Sequence, residues 1–496
     1  MNPKKTTKKN KKRNNTLKVI GFVCAGVQLV LAIVLIVMLA QLDIIPFEFK
    51  ILIDALLVLF CMVTAITQHW VVPGIITKVL SVFMSIVMGA MSFYMNATYR
   101  TLDKISGSYT KISTMGVYVL GDSSIQDILD LNGAEFGIIA RMGREETDST
   151  IYKIEETLTT TIECTEYNSV IELADSLMDG SSDAIIINSN YFGMIEDVEG
   201  YNTFKDSIKC VMTYSVETVV EQDKNEQEEV PEETDDCITI YVSGIDTTGP
   251  ANVTSNSDVN IICTINTKTH QVLLISTPRD FYVPLSISGD MKDKLTHAGA
   301  YGVEVSMDTL ELLYDVNIDY YLKVNFTGFV DIVDALGGIE VYSEYDFTAY
   351  HGGFHYNAGM NTLNGIQALG FARERYSFAQ GDKQRGRNHM EVIKGMINKM
   401  TSADMISNYT SVLDAISGSM VTDMPQQEIS DLVKLQLEEN PKWEILSYSV
   451  DGTHGSGYTY SLPNMIVYVM IPMTETVEKA KGYIDLMYSN QKITIE

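Results

Sequence analysis

Residues 371–389 read Phe-Ala-Arg-Glu-Arg-Tyr-Ser-Phe-Ala-Gln-Gly-Asp-Lys-Gln-Arg-Gly-Arg-Asn-His, which sets Arg373, Arg375, Arg385 and Arg387 around a Gly381-Asp382 turn. A guanidinium fork meets phosphate oxygens two at a time and keeps its charge at any physiological pH. Four of them beside one carboxylate point to a polyanionic ligand, with Asp382 placed to hold a divalent cation between ligand and protein. The plainer reading is a solvated helix face. A second cationic segment weighs against it: in residues 275–284, Arg279 and Asp280 directly follow Pro278 and an apolar run, so Arg279 can point from a sheet edge toward a ligand.

Other candidates are read both ways. Asp246 closes the run 237–246 and Asp258 precedes the next apolar run, places where a carboxylate is either a metal ligand or a turn former. With Asp382 they make three oxygen donors, and a magnesium site often combines few carboxylates with substrate phosphate. Lys294 and His297 either bind phosphate or order a loop. His351 and His355 have the i, i+4 spacing of a metal pair, but Gly352 and Gly353 between them argue for a loop. Phe326, Phe329, Val330, Val333 and Leu336 recur at helical spacing, as ordinary core or as the wall of an apolar tunnel.

The elements that must position these residues follow from periodicity. From residue 237 the pattern is strand, loop, strand (259–265), strand (271–276), helix (307–314), strand (320–324) and a helix (326–336) ending at Gly337-Gly338. Further helices at 367–373 and 387–399 flank the arginine-rich loop. This interleaving predicts an α/β sandwich over a mixed sheet across residues 237–400, with 401–496 as its C-terminal continuation. Residues 101–220 predict a smaller α/β domain, with strands at 115–120, 136–140 and 184–188 and a helix at 169–178 stopped by Gly180. The acidic run 221–236, with one Pro and no core pattern, is a solvated linker.

Charge and hydropathy bound the setting. The 496 residues hold 36 basic and 64 acidic side chains, a net charge of −28. Residues 1–18 carry eight basic residues and no acid, and residues 19–100 balance, which leaves −36 from residue 101 onward. Such a domain repels nucleic acid at long range. Apolar runs at 19–40, 49–67 and 75–95 predict three transmembrane helices; Asp54 and Lys78 sit near their ends, where they reach the interface. The first run is too long for a signal-peptide core and no small-residue cleavage site follows it. The basic tail stays cytoplasmic, so three crossings place the rest outside, although the short loop 68–74 lacks the positive charge expected of a cytoplasmic loop. Of six cysteines, Cys24 and Cys61 lie in apolar runs. Cys164, Cys210, Cys237 and Cys263 lack metal or redox spacing, and free thiols are preferred to an unassignable disulfide.

At residues 243–246, 257–260, 275–280, 294–298, 324–329, 334–341, 363–369 and the arginine loop, in that order, the sequence resembles the LytR-CpsA-Psr family of cell-wall glycopolymer ligases. The apolar segments and extra external domain resemble its capsule-associated branch. The resemblance implies an α/β/α domain holding a polyprenyl (pyro)phosphate in an apolar tunnel, with its head group at an arginine-lined mouth with Mg²⁺. The implied reaction moves a glycopolymer from that lipid to peptidoglycan, with capsule-assembly proteins as possible partners. Carried onto this chain, Asp246, Asp258 and Asp382 take the metal role, and Arg279, Arg373, Arg375 and Arg385 the phosphate role. Asp246 or Asp258 is the candidate base, although a carboxylate on Mg²⁺ is a poor one. A phosphatase using water at the same site and a non-enzymatic regulator are the competing functions. Asn388-His389 departs from the family's usual ending, Arg-Gln or Asn-Gln, so His389 is expected to make a phosphate contact that titrates near neutral pH. Arg387, one position off the pattern, is left outside the site.

Overall fold

The computed structural model describes residues 3–42, 45, 47–105, 109–140, 142–196, 198–220, 236–247, 251–402, 412, 415–416 and 419–495. The acidic run 221–236 falls outside them except for Asp236. The chain divides into two compact units, residues 1–103 with 425–441 and residues 104–424 with 442–496.

In the first unit, helices run Pro3–Leu42, Phe47–Thr67 and Val71–Ile105. Their apolar stretches Thr16–Leu42, Phe47–Thr67 and Val72–Thr101 hold 27, 21 and 30 residues. A hydrocarbon core needs about 20, so each is long enough to cross. Polar side chains within them find one another: Ser81 Oγ donates to Gln28 Oε1 at 2.6 Å, and the Thr67 and Thr77 hydroxyls lie 2.7 Å apart. Lipid offers no competing partner, so such pairs tie helices together. The helix Gln426–Glu439 belongs to the same unit.

The second unit contains two sheets. The smaller orders its strands Glu163–Tyr167, Glu135–Ile139, Ala184–Asn188, Tyr109–Leu120 and Ile208–Val220. Its first two pairings are parallel and its last two antiparallel, a mixed sheet. Alternation along Ala184–Asn188 sends Ala184 and Ile186 to one face and Ile185 and Ile187 to the other, and both faces are covered. Ile154 and Leu158 of helix Arg144–Leu158 close one side; Leu173, Ala174 and Leu177 of helix Val170–Asp179 close the other. Ser169 caps that second helix by accepting from Glu172 N–H at 3.2 Å, and Gly180, at φ 81°, ends it.

The larger sheet orders Met420–Thr422, Tyr320–Asn325, Cys237–Ile245, Ser257–Asn266, Gln271–Thr277 and Glu444–Ser449. It is also mixed, with parallel pairings of Tyr320–Asn325 to Cys237–Ile245 and Gln271–Thr277 to Glu444–Ser449. On one face Tyr241, Leu273 and Ile275 pack with Leu310 and Tyr314 of helix Val303–Tyr314 and Ala480 and Ile484 of helix Thr474–Tyr488. Ser276, pointing the opposite way from Ile275, meets helix Asp382–Met400 at Gly386. Helices Phe326–Ala335 and Gly365–Arg373 share a core with Val392 of that helix through Ile332, Val333, Ala368 and Phe371. Helices therefore cover both faces of a mixed sheet, the expected α/β/α sandwich.

Differences from the sequence reading concentrate at polar segments. Asp382 to Gly386, read as part of a loop, form the first turns of helix Asp382–Met400. The C-terminal residues supply an edge strand of the larger sheet, Glu444–Ser449, and the hairpin Gly452–Tyr458 with Ile466–Pro472. Strand Ile208–Val220 and helix Arg144–Leu158 had no reading at all: polar residues interrupt the first and dominate the second. Gly244 is where the sheet admits least. It pairs with Val259 while Ile245 pairs with Ser257, so Asp258 is the extra residue of a bulge. A Cβ at Gly244 would sit 2.7 Å from Val259 Cβ. Gly244→Ala is expected to destabilise by about 1–3 kcal/mol, as overpacking of a filled site does, and to lower the thermal midpoint of the detergent-solubilised chain. An unchanged midpoint would show that the bulge relaxes without cost.

Candidate active site

The bulge and two strand ends aim the carboxylates. Asp246 directly follows strand Cys237–Ile245, and Asp258, lacking a register partner, turns toward the same edge. Arg279 follows strand Gln271–Thr277 across Pro278, and its Nη1 donates to Asp258 Oδ1 at 2.9 Å. Helix Asp382–Met400 brings the remaining groups over the sheet because Gly386 lets it approach Ser276; a Cβ there would lie 2.9 Å from Ser276 Oγ. Arg385 Nη2 then lies 3.3 Å from Asp382 Oδ1, and Arg375 Nη1 lies 3.8 Å from the same oxygen. Arg373 Nη2 is 3.9 Å from Asp246 Oδ2, with its guanidinium 4.3 Å from the centre of the Phe326 ring.

A pocket of about 130 Å³ gathers Asp258, Arg279, Asp382, Arg385 and His389 in its lining. Asp246, Arg373 and Arg375 stand outside that lining but are joined to it by the contacts above and by field: Asp258, Arg373, Arg279 and Arg385 all act on Asp246. Lys294 is placed differently. Its Nζ is buried 3.5 Å from Asp280 Oδ1, and Asp280 Oδ2 lies 3.7 Å from Arg279 Nε, so Lys294 stands behind the arginine instead of in the pocket. His297 is wholly buried with Nδ1 2.7 Å from Asp293 Oδ1, whose other oxygen accepts from Ser461 Oγ at 2.5 Å. It orders a loop and touches no ligand space. His351 and His355 do not converge: His351 packs against Tyr350 and Tyr376, and His355 Nε2 lies 3.6 Å from Asp346. Val333 and Leu336 are closed core, whereas Phe326 lies under Arg373.

The aspartates are driven apart in acidity. Burial raises Asp246, Asp258 adds to it, and the arginines only partly offset this, so its carboxyl lies above the usual range. Burial would raise Asp258 too, but Arg279 and Arg385 outweigh it and hold it below. Two neighbouring carboxylates with divergent acidity are the pattern of an acid-base pair. Burial also pushes the pKa of the Arg385 guanidinium below its ordinary value. For a divalent cation the fit is partial. Among the described residues no three His, Cys, Asp or Glu side chains gather closely enough to hold a metal. Asp382 Oδ1 is nevertheless a buried oxygen that accepts no hydrogen bond and lines the same pocket as Asp258, which suits two carboxylates holding an ion completed by ligand oxygens.

His389 corrects one expectation. Burial and Arg385 together push its imidazole down to about 3, so it is neutral throughout the physiological range and makes no charge switch near pH 7. The sequence reading left out Arg387, which lines the pocket, and gave no role to Asp280, Lys383 and Asp451. Asp280 was visible beside Arg279, but the Lys383 Nζ to Asp451 Oδ1 contact at 2.5 Å joins segments with no shared motif.

The LytR_cpsA_psr family model matches residues 207–472, more than half of the chain, and the chain belongs to that family. It is 35% identical over 201 residues to the Enterococcus faecalis polyisoprenyl-teichoic acid–peptidoglycan teichoic acid transferase TagU, covering 40% of this chain and 64% of that relative. The transferase of the same name from Bacillus mycoides is 33% identical over 238 residues, covering 48% of this chain and 77% of its own length. The crystal structure of B. subtilis TagU superposes with a TM-score of 0.40 at 26% identity, over 52% of this chain and 99% of that one. A DNA polymerase processivity factor model matches residues 74–187, a stretch that includes most of the third apolar helix.

The depressed His389 fixes a stability test. Above pH 6.5 the imidazole is neutral folded or unfolded; as pH falls from there toward 3, the unfolded chain binds a proton that the folded chain refuses, and stability drops. The thermal midpoint of His389→Gln relative to the parent chain is therefore expected to rise as pH is lowered from 7 to 4. A constant difference across that range would place the imidazole at its ordinary value.

Proposed function

We propose that this protein transfers a glycopolymer, a capsular polysaccharide or similar anionic wall polymer, from a polyprenyl (pyro)phosphate carrier to peptidoglycan. The observation that carries this reading is four arginines meeting three aspartates at one sheet edge of a chain with net charge −28. Three of the four pairings are 3.3 Å or longer, loose enough for phosphate oxygens to compete for the guanidinium groups. The family and the two relatives named as teichoic acid transferases support the same class of reaction.

In this mechanism Arg279 and Arg385 hold the phosphate oxygens in the pocket, and Arg373 and Arg375 neutralise charge at its rim. An acceptor hydroxyl oxygen forms a bond to the phosphorus next to the polymer, the bridging P–O bond breaks, and polyprenyl phosphate leaves. Asp246 takes the hydroxyl proton, since its raised affinity suits a base and Asp258 is committed to Arg279. Mg²⁺, held by Asp258 and Asp382 together with phosphate oxygens, would add charge neutralisation to that of the arginines. Three crossings from a cytoplasmic basic tail would put the second unit outside the cell membrane, a topology that the length of the three apolar helices supports.

Arg385→Ala is expected to cut polymer attachment roughly ten- to a hundredfold, the loss of one charge-assisted contact, with the fold retained. Asp246→Asn should lower the transfer rate while leaving lipid binding intact, and chelator should lower transfer by the parent chain. Phosphate release without polymer attachment would make the protein a phosphatase, and full transfer by Arg385→Ala would remove the pocket from the reaction. Topology has its own reporter, because the Cys210 thiol is exposed. A membrane-impermeant maleimide should label wall-permeabilised intact cells, and Cys210→Ser should remove most of that signal; labelling only after lysis would invert the orientation.

A further inference from the structure

Beside the arginines lies a feature that phosphate binding leaves unused. The short pair Phe347–Thr348 and His355–Tyr356 forms a hairpin whose tip turns at Gly352 and Gly353, with φ 84° and 66°. That tip presents Tyr350, 74% exposed, next to Tyr376, 61% exposed. Their ring centres are 5.2 Å apart, and the His351 ring lies 5.3 Å from Tyr350 and 6.4 Å from Tyr376. Exposed apolar area of this kind marks a binding surface more often than an isolated ring does.

The rings are held in place from below. Glu374 is fully buried, and its carboxylate accepts from Tyr350 N–H at 2.5 Å and Ser377 N–H at 2.8 Å. Ser377 Oγ donates to the Thr348 carbonyl at 3.0 Å. One buried acid thus joins the hairpin tip to the segment carrying Arg375 and Tyr376. Arg375 Nη2 donates to the Tyr376 hydroxyl at 2.8 Å, while its Nη1 lies 3.8 Å from Asp382 Oδ1. A single guanidinium therefore spans from the aromatic pair to the rim of the phosphate pocket.

We propose that Tyr350, Tyr376 and His351 form a subsite for a pyranose ring adjoining the phosphate. The inference rests on the transferase reading and adds the chemistry of the neighbouring group. A pyranose presents a C–H face, which stacks on the negative face of an aromatic ring, and a hydroxyl edge, which needs donors and acceptors. The tyrosine hydroxyls, the imidazole and Arg375 supply that edge. A prenyl tail needs closed apolar walls, which two rings more than half exposed do not provide. The sugar comes either from the donor, next to its pyrophosphate, or from the acceptor glycan.

The test measures dissociation constants of the detergent-solubilised full chain for three probes: farnesyl pyrophosphate, farnesyl-pyrophosphoryl-N-acetylglucosamine and tetra-N-acetylchitotetraose. Tyr350→Ala, which leaves the Arg375 contacts in place, should weaken one sugar-bearing probe roughly three- to tenfold and leave farnesyl pyrophosphate unchanged. Tyr350→Phe and Tyr376→Phe should keep most of that affinity. Loss on the lipid-linked sugar assigns the subsite to the donor, and loss on the chitotetraose assigns it to the acceptor. Unchanged affinity for both sugars, or equal loss on farnesyl pyrophosphate, overturns the subsite. Arg385→Ala separates the two claims: if it leaves farnesyl pyrophosphate binding untouched, the transferase reading fails, whatever Tyr350 does.

Discussion

The contact between Arg279 and Asp258 is the point on which the site's arrangement turns. At 2.9 Å it is the shortest of the site's arginine–aspartate pairings, and both side chains are about four-fifths buried. Taking such charges out of water costs several kcal/mol each, so the pair persists only with close geometry and further partners. The fold supplies both. The bulge opposite Gly244 turns Asp258 to the sheet edge, Pro278 sets the direction of Arg279, and Asp280 with Lys294 backs the guanidinium. Arg385 adds its charge to the same carboxylate, and burial of His389 beside it removes a second cation from competition.

That pairing also decides how the neighbouring carboxylates divide their work. Arg279 and Arg385 lower Asp258 enough to overcome its burial, while Asp246 is raised by desolvation and then by the like charge of Asp258, with only a looser partner in Arg373 at 3.9 Å to offset them. Exchanging these environments would require moving an arginine across a sheet edge, not altering either aspartate. The cationic site is also the local exception in a strongly acidic domain. A polyanion is repelled at long range by the net charge and held at short range by the guanidinium groups clustered at this site.

Much of this was legible in the residues because periodicity and turn chemistry are local. Strands at 259–265, 271–276 and 320–324 and the helix stop at Gly337-Gly338 sit within a few residues of the observed Ser257–Asn266, Gln271–Thr277, Tyr320–Asn325 and Phe326–Ala335. The arginine segment announced itself by composition. What local pattern did not carry was register and depth. Nothing adjacent to Asp258 marks it as the unpaired residue of a bulge, and nothing around Lys294 says that its ammonium is buried on Asp280. His389 shows the cost of reasoning from an unperturbed imidazole: its value is set by Arg385 one helical turn away and by burial from other elements. The start of helix Asp382–Met400 was misread because its first turn is polar and lacks a side-chain cap.

The smaller sheet is tied into the back of the same site. Its core runs on without a break from Ile185, Ile187 and Phe192 to Ala300, Leu462, Val467 and Val469 of the larger domain. Val467 and Val469 lie in strand Ile466–Pro472, whose Met470 N–H donates to the Asp280 carbonyl at 2.8 Å. Ser461, just before that strand, holds Asp293 and thereby His297 in the helix following Lys294. The segment that backs Arg279 is therefore pinned between two cores rather than one. Displacing it requires opening apolar contacts that belong to the smaller sheet as well, and interiors packed at crystal-like density transmit such displacements instead of absorbing them.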